Sequence, residues 1–289
     1  MTSFKHYSDK AFAKVNLNFR VTGKLPNGYH QIQSTVTFLP DIYDRIWIKK
    51  SKGIKIKVIG KFSKELLKSG GDTLVTNTIN ILKKKYTIID NLEIKIEKNI
   101  PLGAGLGGGS ADAAALTRLI LKKYNLKHHK KDIVNILSNI GADIPACFYS
   151  SNLKTEGFGN KLTNLKILNK KIWIVLIKPK DFFSTKEIFQ RISIPFSKKT
   201  TYEYNFSNLI NDMNMHDNDL QKVALNFSPS FAQFMSKLPN YNSITKPRMT
   251  GSGSTIFVLF QNEIEALDYL DKIRILTRGL WKKISKAYL

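Results

Sequence analysis

Apolar and polar positions alternate along much of the first 60 residues and again near residue 95, a period of two that is typical of β-strands. Turn-forming residues interrupt the alternation, so it predicts several separate strands. In Leu92–Glu97, Leu and Ile alternate with Glu and Lys, which predicts a strand with one solvated face, as in an antiparallel sheet. The other strands predicted in this part are Ala13–Gly23, Gln31–Leu39, and segments around Ile46–Lys50 and Ile54–Ile59.

Helical spacing begins at Asp72-Thr73, after which Val75, Ile79 and Leu82 share one face. Ser110 is the expected N-cap of a second, Ala-rich helix. Later segments alternate between the two kinds of element, so the pattern predicts an α+β protein with two domains, residues 1–165 and 166–289. The later helices predicted are Lys131–Ile140, Thr185–Ile192, Asp219–Asn226, Ser230–Leu238 and Glu263–Arg274, and the later strands Ile172–Ile177, Ser254–Phe260 and Gly279–Ile284.

The composition is that of a globular protein, with 42% hydrophobic and 24% charged residues. No apolar run approaches the roughly 20 residues that cross a bilayer, so we expect no membrane partner. Met1–Lys14 has no apolar core of a secretory signal, and Cys147 cannot form an internal disulfide. These features predict a cytoplasmic protein.

The net charge of +24, from 46 basic and 22 acidic residues, attracts anions such as nucleic acid or a phosphorylated metabolite. Only seven of the basic residues are Arg, and the lysines are scattered along the chain. Because a surface that reads bases relies on Arg, we expect no nucleic-acid partner. An AT-rich genome would also produce this Lys-rich composition, so the charge alone does not identify the ligand.

Five glycines stand within seven residues: Gly103, Gly105, Gly107, Gly108 and Gly109. Such a density indicates positive φ angles or a ligand against bare backbone, and the helix that follows offers unpaired N–H groups to an anion, best a phosphate. The alternative is an elaborate strand-to-helix turn. No Lys follows the glycines as in a Walker loop.

A dinucleotide-binding loop is the other pattern to weigh, because three of these glycines satisfy G-x-G-x-x-G. The context contradicts it: the preceding strand is amphipathic, and His128-His129-Lys130 stands where an acidic residue should bind the ribose.

Several single residues carry an ordinary structural interpretation beside a chemical one. Lys14, Asn16 and Asn18 lie on one side of a predicted strand, which favours a solvated polar face. Asp143 stands between Gly141 and Pro145, where it could be an N-cap. Asp112, in a first helical turn, suits the helix dipole. Tyr29 and His30 follow a turn signal and could be structural.

The segment Pro101-Leu-Gly-Ala-Gly-Leu-Gly-Gly-Gly-Ser-Ala-Asp-Ala-Ala114 resembles the ATP-binding motif of the superfamily of galactokinase, homoserine kinase, mevalonate kinase and phosphomevalonate kinase (GHMP kinases). Within the superfamily, the chain resembles the kinases of 4-diphosphocytidyl-2-C-methyl-D-erythritol in non-mevalonate isoprenoid biosynthesis. That narrower resemblance is carried by Ala13–Asn18 with Val21–His30, by Gly141–Pro145, by Asn218–Leu220 and by Met249–Ser254.

The resemblance implies a two-domain GHMP kinase fold, with an N-terminal domain like domain 2 of ribosomal protein S5 and a ferredoxin-like C-terminal domain. It implies transfer of a phosphoryl group from ATP, with Mg²⁺, to the 2-hydroxyl of that cytidine compound. No direct metal ligand is expected among the side chains, and the chain is expected to be a monomer or weak homodimer. Thr73 stands where the family usually has an Asn near the adenine.

The same resemblance assigns roles to individual residues. Lys14 and Asp143 would be catalytic, and Gly251, Ser252 and Gly253 would support the glycine loop. Asn16, Tyr29, His30, Thr185 and Phe189 would bind the acceptor, Tyr29 by stacking on cytosine and His30 by bonding its edge. ATP would be bound by Lys98, Pro101, Leu102, Gly103, Ala104, Gly105, Leu106, Gly107, Gly108, Gly109 and Ser110.

Two alternatives remain open. One is another kinase of the superfamily, acting on homoserine or mevalonate; Tyr29-His30 counts against it, because those substrates contain no base. The other is a basic nucleic-acid-binding protein with a degenerate kinase fold, whose affinity would fall steeply with salt.

Overall fold

The structure is a computed structural model that describes residues 7–26, 28–165 and 170–289. The strands are β1 (Ser8–Asn16), β2 (Arg20–Lys24), β3 (His30–Lys50), β4 (Lys55–Ile59), β5 (Leu92–Glu97), β6 (Leu153–Gly157), β7 (Lys161–Asn164), β8 (Lys171–Lys178), β9 (Arg248–Met249), β10 (Ile256–Phe260) and β11 (Trp281–Tyr288). The helices are α1 (Ser63–Lys68), α2 (Thr73–Lys85), α3 (Gly108–Lys123), α4 (Lys130–Ser138), α5 (Ile144–Tyr149), α6 (Thr185–Gln190), α7 (Phe206–Met215), α8 (Asp219–Phe227), α9 (Pro229–Ser236) and α10 (Glu263–Lys272).

The chain divides into two compact units that are not continuous in sequence. Unit 1 contains residues 1–14, 42–102 and 107–151, and unit 2 contains residues 15–41, 103–106 and 152–289. The domain boundary predicted between 165 and 166 adjoins residues 166–169, which lie outside the described residues. The division into 1–165 and 166–289 stays a prediction.

Unit 1 packs helices against strands that share an apolar face. Within it, β5 pairs antiparallel with the second half of β3 and parallel with β4. Ile94 and Ile96 are fully buried, as the period of two requires. The other side of β5 is less solvated than predicted, because Glu93 is also buried and forms ion pairs with Lys49 and Lys57. Helix α3 packs on α2 and α5.

Unit 2 contains an antiparallel sheet in the order β11-β8-β10-β9, together with β2, β6 and the first half of β3. The apolar run of β8 is buried almost throughout, as expected for a central strand. Phe231 of α9 is fully buried and packs edge-on against Phe183, with ring centroids 5.1 Å apart. No helix in the described part of the chain is long and apolar enough to span a bilayer.

Two strand predictions were wrong in their boundaries. The single strand predicted over Ala13–Gly23 is two strands, because the Asn18 side chain accepts from the backbone N–H of Thr35 and the Phe19 carbonyl accepts from Asp219 N–H. Conversely, β3 runs unbroken through Pro40. This residue lies between the stretch paired with β6 and the stretch paired with β5, so its missing N–H interrupts neither ladder.

The predicted helices agree with the structure more closely than the predicted strands do, apart from the start of α3. Helix α2 begins at Thr73, as predicted, and Asp72 is its N-cap and accepts from Val75 N–H. Helix α3 begins at Gly108 behind an N-cap at Gly107, so the expected N-cap, Ser110, lies inside the first turn. Helices α1 and α7 were not predicted, and of α5 only a possible N-cap at Asp143 was; strands β6, β7 and β9 were not predicted either. The remaining predicted elements occur within a few residues of their expected bounds.

Candidate active site

Lys14 and Asp143 form an ion pair in unit 1. The ammonium of Lys14, near the end of β1, lies 3.2 Å from Asp143 Oδ2. The Lys14 side chain is 5% exposed and the Asp143 side chain 51%. Asp143 occupies the N-cap position of α5, but its carboxylate makes no capping hydrogen bond. The carboxylate therefore remains open on one side while the cation behind it is enclosed.

The interpretation of Lys14, Asn16 and Asn18 as a solvated face was wrong. All three residues are buried, with relative exposures of 4%, 3% and 6%. In unit 2, the backbone N–H of Asn16 donates to Thr250 Oγ1 (2.9 Å) and its side-chain amide donates to Ser34 Oγ (2.8 Å). Polar side chains buried with this many partners are held in place, which a functional role requires.

The second half of the glycine loop belongs to unit 1 and leads directly into α3. Gly107 has φ +66°, and a Cβ atom there would lie 2.7 Å from Lys14 Cγ. Gly108, Gly109 and Ser110 form the first turn of α3 and are partly exposed. Their N–H groups stand at the positive end of a 16-residue helix. This geometry suits an anion beside the Lys14–Asp143 pair.

Residues 103–106 of the loop belong to unit 2, where other backbone packs against them. Gly105 has φ +70°, and a Cβ atom there would collide with the carbonyl of Thr250 and lie 2.9 Å from that of Gly253. Ala104 accepts a hydrogen bond from Thr255 N–H (3.2 Å). Gly251, Ser252 and Gly253 thus lie in the turn that contacts the loop. Pro101 is buried and Leu102 partly buried.

The residues expected to bind the acceptor all lie in unit 2. The His30 ring lies 5.4 Å from the Phe189 ring, centroid to centroid, and Thr185 Oγ1 lies 2.9 Å from Ser252 Oγ. Tyr29 is 62% exposed, with its ring 6.1 Å from that of Phe158. Partial burial, aided by the charge of Lys24, lowers the pKa of His30. Its imidazole is therefore neutral at neutral pH and offers one donor and one acceptor.

Lys98 lies close to the loop but is fully enclosed. Its ammonium donates to Asp44 Oδ2 (2.5 Å) and Asp112 Oδ2 (2.6 Å), and a Cβ atom on Gly108 would lie 3.1 Å from it. Burial opposes the charge of Lys98, but the two carboxylates more than offset it and raise the pKa. In this arrangement Lys98 supports the start of α3, and a direct contact with ATP stays a prediction.

Asp112 faces the interior, so its position is explained by more than the helix dipole. Burial raises its pKa well above the usual value, although the Lys98 charge acts in the opposite direction. Asp44 also accepts from the N–H groups of Asn99 and Ile100. Asp112 Oδ1 and Asp72 Oδ2 are both buried and have no hydrogen-bond partner within the described residues. Among those residues, no three His, Cys, Asp or Glu side chains form a group suited to a metal ion.

Sequence reasoning did not find Asp44, Thr250 or the bracing role of Asn218. The Asn218 amide donates to the carbonyls of Met249 and Gly251, at 2.9 and 2.8 Å, and so holds the turn beside the glycine loop. A local pattern could not identify Asp44, because it meets its partners only through the fold. Thr250 stands inside the motif Met249–Ser254, but its hydrogen bond with Asn16 could not be predicted from that motif. The motif Asn218–Leu220 was noted, but without a role.

Two family models match the chain. Residues 73–151 match the GHMP kinases N terminal domain, and residues 202–275 match the GHMP kinases C terminal. A crystal structure of 4-(cytidine 5'-diphospho)-2C-methyl-D-erythritol kinase superposes with a TM-score of 0.76 at 22% identity, covering 98% of this chain and 99% of the other. Homoserine kinase from Cytophaga hutchinsonii superposes with a TM-score of 0.70 at 17% identity, covering 99% and 96%. The fold and its α+β class are thus those of a GHMP kinase, as predicted.

The names of related proteins show which family of GHMP kinases this chain belongs to. A 4-diphosphocytidyl-2-C-methyl-D-erythritol kinase of Clostridium beijerinckii is 32% identical over 92% of this chain and 95% of its own length. One of Persephonella marina is 35% identical over 88% and 91%. The chain belongs to the 4-diphosphocytidyl-2-C-methyl-D-erythritol kinase family. It is a phosphotransferase with an alcohol group as acceptor, which confirms the predicted enzyme class.

The enclosed cluster generates a prediction about stability. Lys98→Met would leave the Asp44 carboxylate buried without its cation and the Asp112 carboxyl without its donor, and should lower the free energy of unfolding by about 3–5 kcal/mol. Asp112→Asn keeps an oxygen for Lys98 and adds N–H donors in place of a carboxyl whose pKa is raised by burial. Since the folded wild type holds this proton to a higher pH than the unfolded chain, the contribution of the Asp112 carboxyl to stability falls as pH rises above about 4.

The thermal midpoint of Asp112→Asn should therefore rise relative to that of the wild type as the pH is raised from 5 to 8. A difference between the two thermal midpoints that stays constant across this pH range would contradict a proton held on Asp112. A Lys98→Met variant as stable as the wild type would contradict the structural role of the ammonium.

Proposed function

We propose that this chain transfers the γ-phosphoryl group of ATP to the 2-hydroxyl of 4-diphosphocytidyl-2-C-methyl-D-erythritol, giving the 2-phosphate in non-mevalonate isoprenoid biosynthesis. The names of the relatives support the substrate. The observation that carries the chemistry is the Lys14–Asp143 ion pair, with Lys14 packed against Gly107 of the glycine loop. A substrate panel of the cytidine compound, mevalonate and homoserine, assayed for ADP release, tests the proposal directly.

In this proposal Asp143 accepts the proton of the attacking hydroxyl. Its side chain is half exposed and so can be reached, while the Lys14 ammonium, 3.2 Å away, is fixed by burial. Lys14 would stabilise the negative charge on the transferred oxygens. Phosphoryl transfer depends mostly on alignment and charge neutralisation, which an enclosed cation next to an open carboxylate provides.

The glycine loop, Pro101–Ser110, would hold the triphosphate on N–H groups at the start of α3. Mg²⁺ would be held here mainly through phosphate oxygens of ATP. No direct side-chain ligand was expected from the sequence, but the Ser110 hydroxyl is partly exposed at the start of α3 and would offer one further oxygen. When bound, the ion would neutralise charge on the phosphates. Asp112 would not reach it, because that carboxylate is buried against Lys98.

Acceptor recognition would combine an aromatic surface with hydrogen bonds. Tyr29 offers an exposed ring for cytosine, and the neutral His30, beside Phe189, can both donate to and accept from the edge of the base. Thr185 and Asn16 would contact other parts of the substrate. Neither mevalonate nor homoserine would use the base-binding residues.

The first prediction concerns the proton acceptor. Asp143→Asn should lower kcat by about 100-fold or more, the range of general-base catalysis, because the amide cannot take the hydroxyl proton. The fold should persist, since the substituted side chain is 51% exposed and nearly isosteric. Asp132→Asn, on the exposed side of α4, is the control and should have wild-type kinetics. Turnover of Asp143→Asn within a few-fold of wild type would remove Asp143 from the mechanism.

The second prediction concerns the loop. Gly107→Ala should lower kcat at least tenfold, because its Cβ would displace Lys14, 2.7 Å from the new atom. Gly70→Ala is a matched control: this residue also has a positive φ, at +95°, but nothing lies within 4 Å of the added Cβ. Both variants should lose about 1–2 kcal/mol from backbone strain, and only Gly107→Ala should lose turnover. Equal kcat values in the two variants would contradict the placement of Lys14.

The third prediction concerns the base. Tyr29→Ala and His30→Ala should each raise the KM for the cytidine substrate about tenfold, the lower range for a lost stacking or hydrogen-bonding contact, with the KM for ATP unchanged. Tyr29→Phe keeps the ring and is the control. The uridine analogue should bind the wild type more weakly. Equal use of methylerythritol without its nucleotide would refute base recognition.

A further inference from the structure

An exposed aromatic side chain lies against the glycine loop in unit 2. Phe182 is 63% exposed, and the edge of its ring rests on Gly103, the first glycine of the loop. Gly103 has φ +53°, and a Cβ atom there would lie 1.9 Å from Phe182 Cε2. The ring therefore occupies the space that a side chain at position 103 would need.

The chain before Phe182 is anchored by hydrogen bonds. Asp181 Oδ1 accepts from the hydroxyls of Ser228 and Ser230, at 2.8 and 2.6 Å. The backbone carbonyl of Asp181 accepts a further hydrogen bond from the hydroxyl of Ser254. Three hydroxyl groups thus fix this residue through both its side chain and its backbone.

The chain after Phe182 is anchored by packing. Phe183 is 4% exposed, and its ring centroid lies 5.1 Å from that of Phe231 and 6.1 Å from that of Phe227. A Cβ atom on Gly253 would lie 3.0 Å from Phe183 Cδ2, so this ring also packs closely against the turn that contacts the glycine loop. Phe182 is thus an open side chain between two fixed neighbours.

Residues 181–185 connect the glycine loop with the proposed acceptor site inside unit 2. Phe182 touches Gly103, whereas Thr185, three positions further on, has its hydroxyl 2.9 Å from Ser252 Oγ. In the proposed function, Thr185 contacts the acceptor and the loop holds the triphosphate. The ring of Phe182 is therefore placed to meet the end of the acceptor that approaches the phosphates.

The acceptor carries an apolar group at that end. Its C2 atom bears both the hydroxyl that attacks the phosphorus and a methyl group, so this methyl group must lie next to the phosphates during transfer. Contact with an aromatic ring is favourable for it, because apolar surface on both partners is removed from water.

Resting on the proposed function, we propose that Phe182 is a specificity-determining residue whose exposed surface binds the C2 methyl group of the acceptor. The contact of the ring with Gly103 holds this surface beside the loop. An acceptor with hydrogen in place of the methyl group keeps every polar contact but leaves the ring in water. The selectivity falls on kcat/KM for the acceptor and not on the binding of ATP.

The test compares the cytidine compound with its analogue that has hydrogen in place of the C2 methyl group. The wild type should prefer the methylated acceptor about tenfold in kcat/KM, the lower end of the range for one carbon group in an apolar site. Phe182→Ala should reduce this preference to about threefold or less, with the KM for ATP unchanged within about twofold. Phe182→Leu keeps an apolar side chain and should retain most of the preference. The fold should persist in both variants, because the side chain is 63% exposed.

Phe196→Ala is the matched control. Phe196 is also an exposed phenylalanine of unit 2, at 50%, and stands outside both the glycine loop and residues 181–185. This variant should keep the preference of the wild type for the methylated acceptor. A reduction equal to that of Phe182→Ala would mean that loss of any exposed ring has this effect, and would overturn the inference.

Gly103→Ala displaces the ring by a second route, because the new Cβ atom would stand where the ring lies. It should reduce the preference for the methylated acceptor as Phe182→Ala does, and in the Phe182→Ala background it should reduce it no further. Backbone strain at a positive φ affects both acceptors alike and so cancels in their ratio. Separate, multiplying losses of preference in the double variant would contradict a shared cause.

Turnover of the cytidine compound by the wild type is measured first, and its absence would refute the proposed function together with this inference. An active wild type that uses both acceptors equally well refutes only the inference. So does an equal loss of kcat/KM for both acceptors in Phe182→Ala, since the ring would then support the loop without contacting the methyl group.

Discussion

The enclosed ammonium of Lys98 is the interaction on which the start of α3 depends. Two aspartates approach it from different parts of unit 1, Asp44 from β3 and Asp112 from the first turn of α3. Each charge would be costly to bury alone, and breaking such a set leaves an uncompensated charge in the interior. Because Asp44 also binds the N–H groups of Asn99 and Ile100, the same carboxylate fixes the chain that enters the glycine loop. The contact between Lys14 and Gly107 therefore depends on the Lys98 cluster.

Much of the fold could be predicted where local signals agree. The start of helical spacing at Asp72-Thr73 and the apolar periodicity that follows it identified α2. The uninterrupted apolar run identified β8 as a central strand. Errors arose where distant partners override local pattern. The backbone hydrogen bonds to Asn18 and Phe19 break a strand that alternation alone would continue, and a change of pairing partner lets β3 pass through Pro40. The start of α3 was misplaced because Gly107 caps it in a left-handed conformation, without a side-chain signal.

The candidate site was predictable to a different degree at each residue. The density of glycines indicated exposed backbone from the sequence alone, with no comparison to a known family. The pairing of Lys14 with Asp143, which lie 129 positions apart, was predicted only from the resemblance. The row Lys14, Asn16 and Asn18 shows the limit of periodicity, which identifies a polar face but does not say what covers it. Ser34, Asp44 and Thr250 have common residue types in ordinary strand and turn contexts. Their importance comes from hydrogen bonds with partners far along the chain.

The discontinuous make-up of the two units has a consequence for how the protein is made. All residues of unit 1 have been synthesised by position 151, so the Lys14–Asp143 pair and the Lys98 cluster can form while the ribosome is still translating. Unit 2 also uses early segments, residues 15–41 and 103–106, but its sheet is complete only when β11 pairs with β8. The Asn18 side chain must therefore wait for its partner Asp212, which is synthesised almost 200 residues later. A ribosome that stalls in the second half of the message would thus leave a chain in which the Lys14–Asp143 pair is assembled while the residues proposed to bind the acceptor are unsupported.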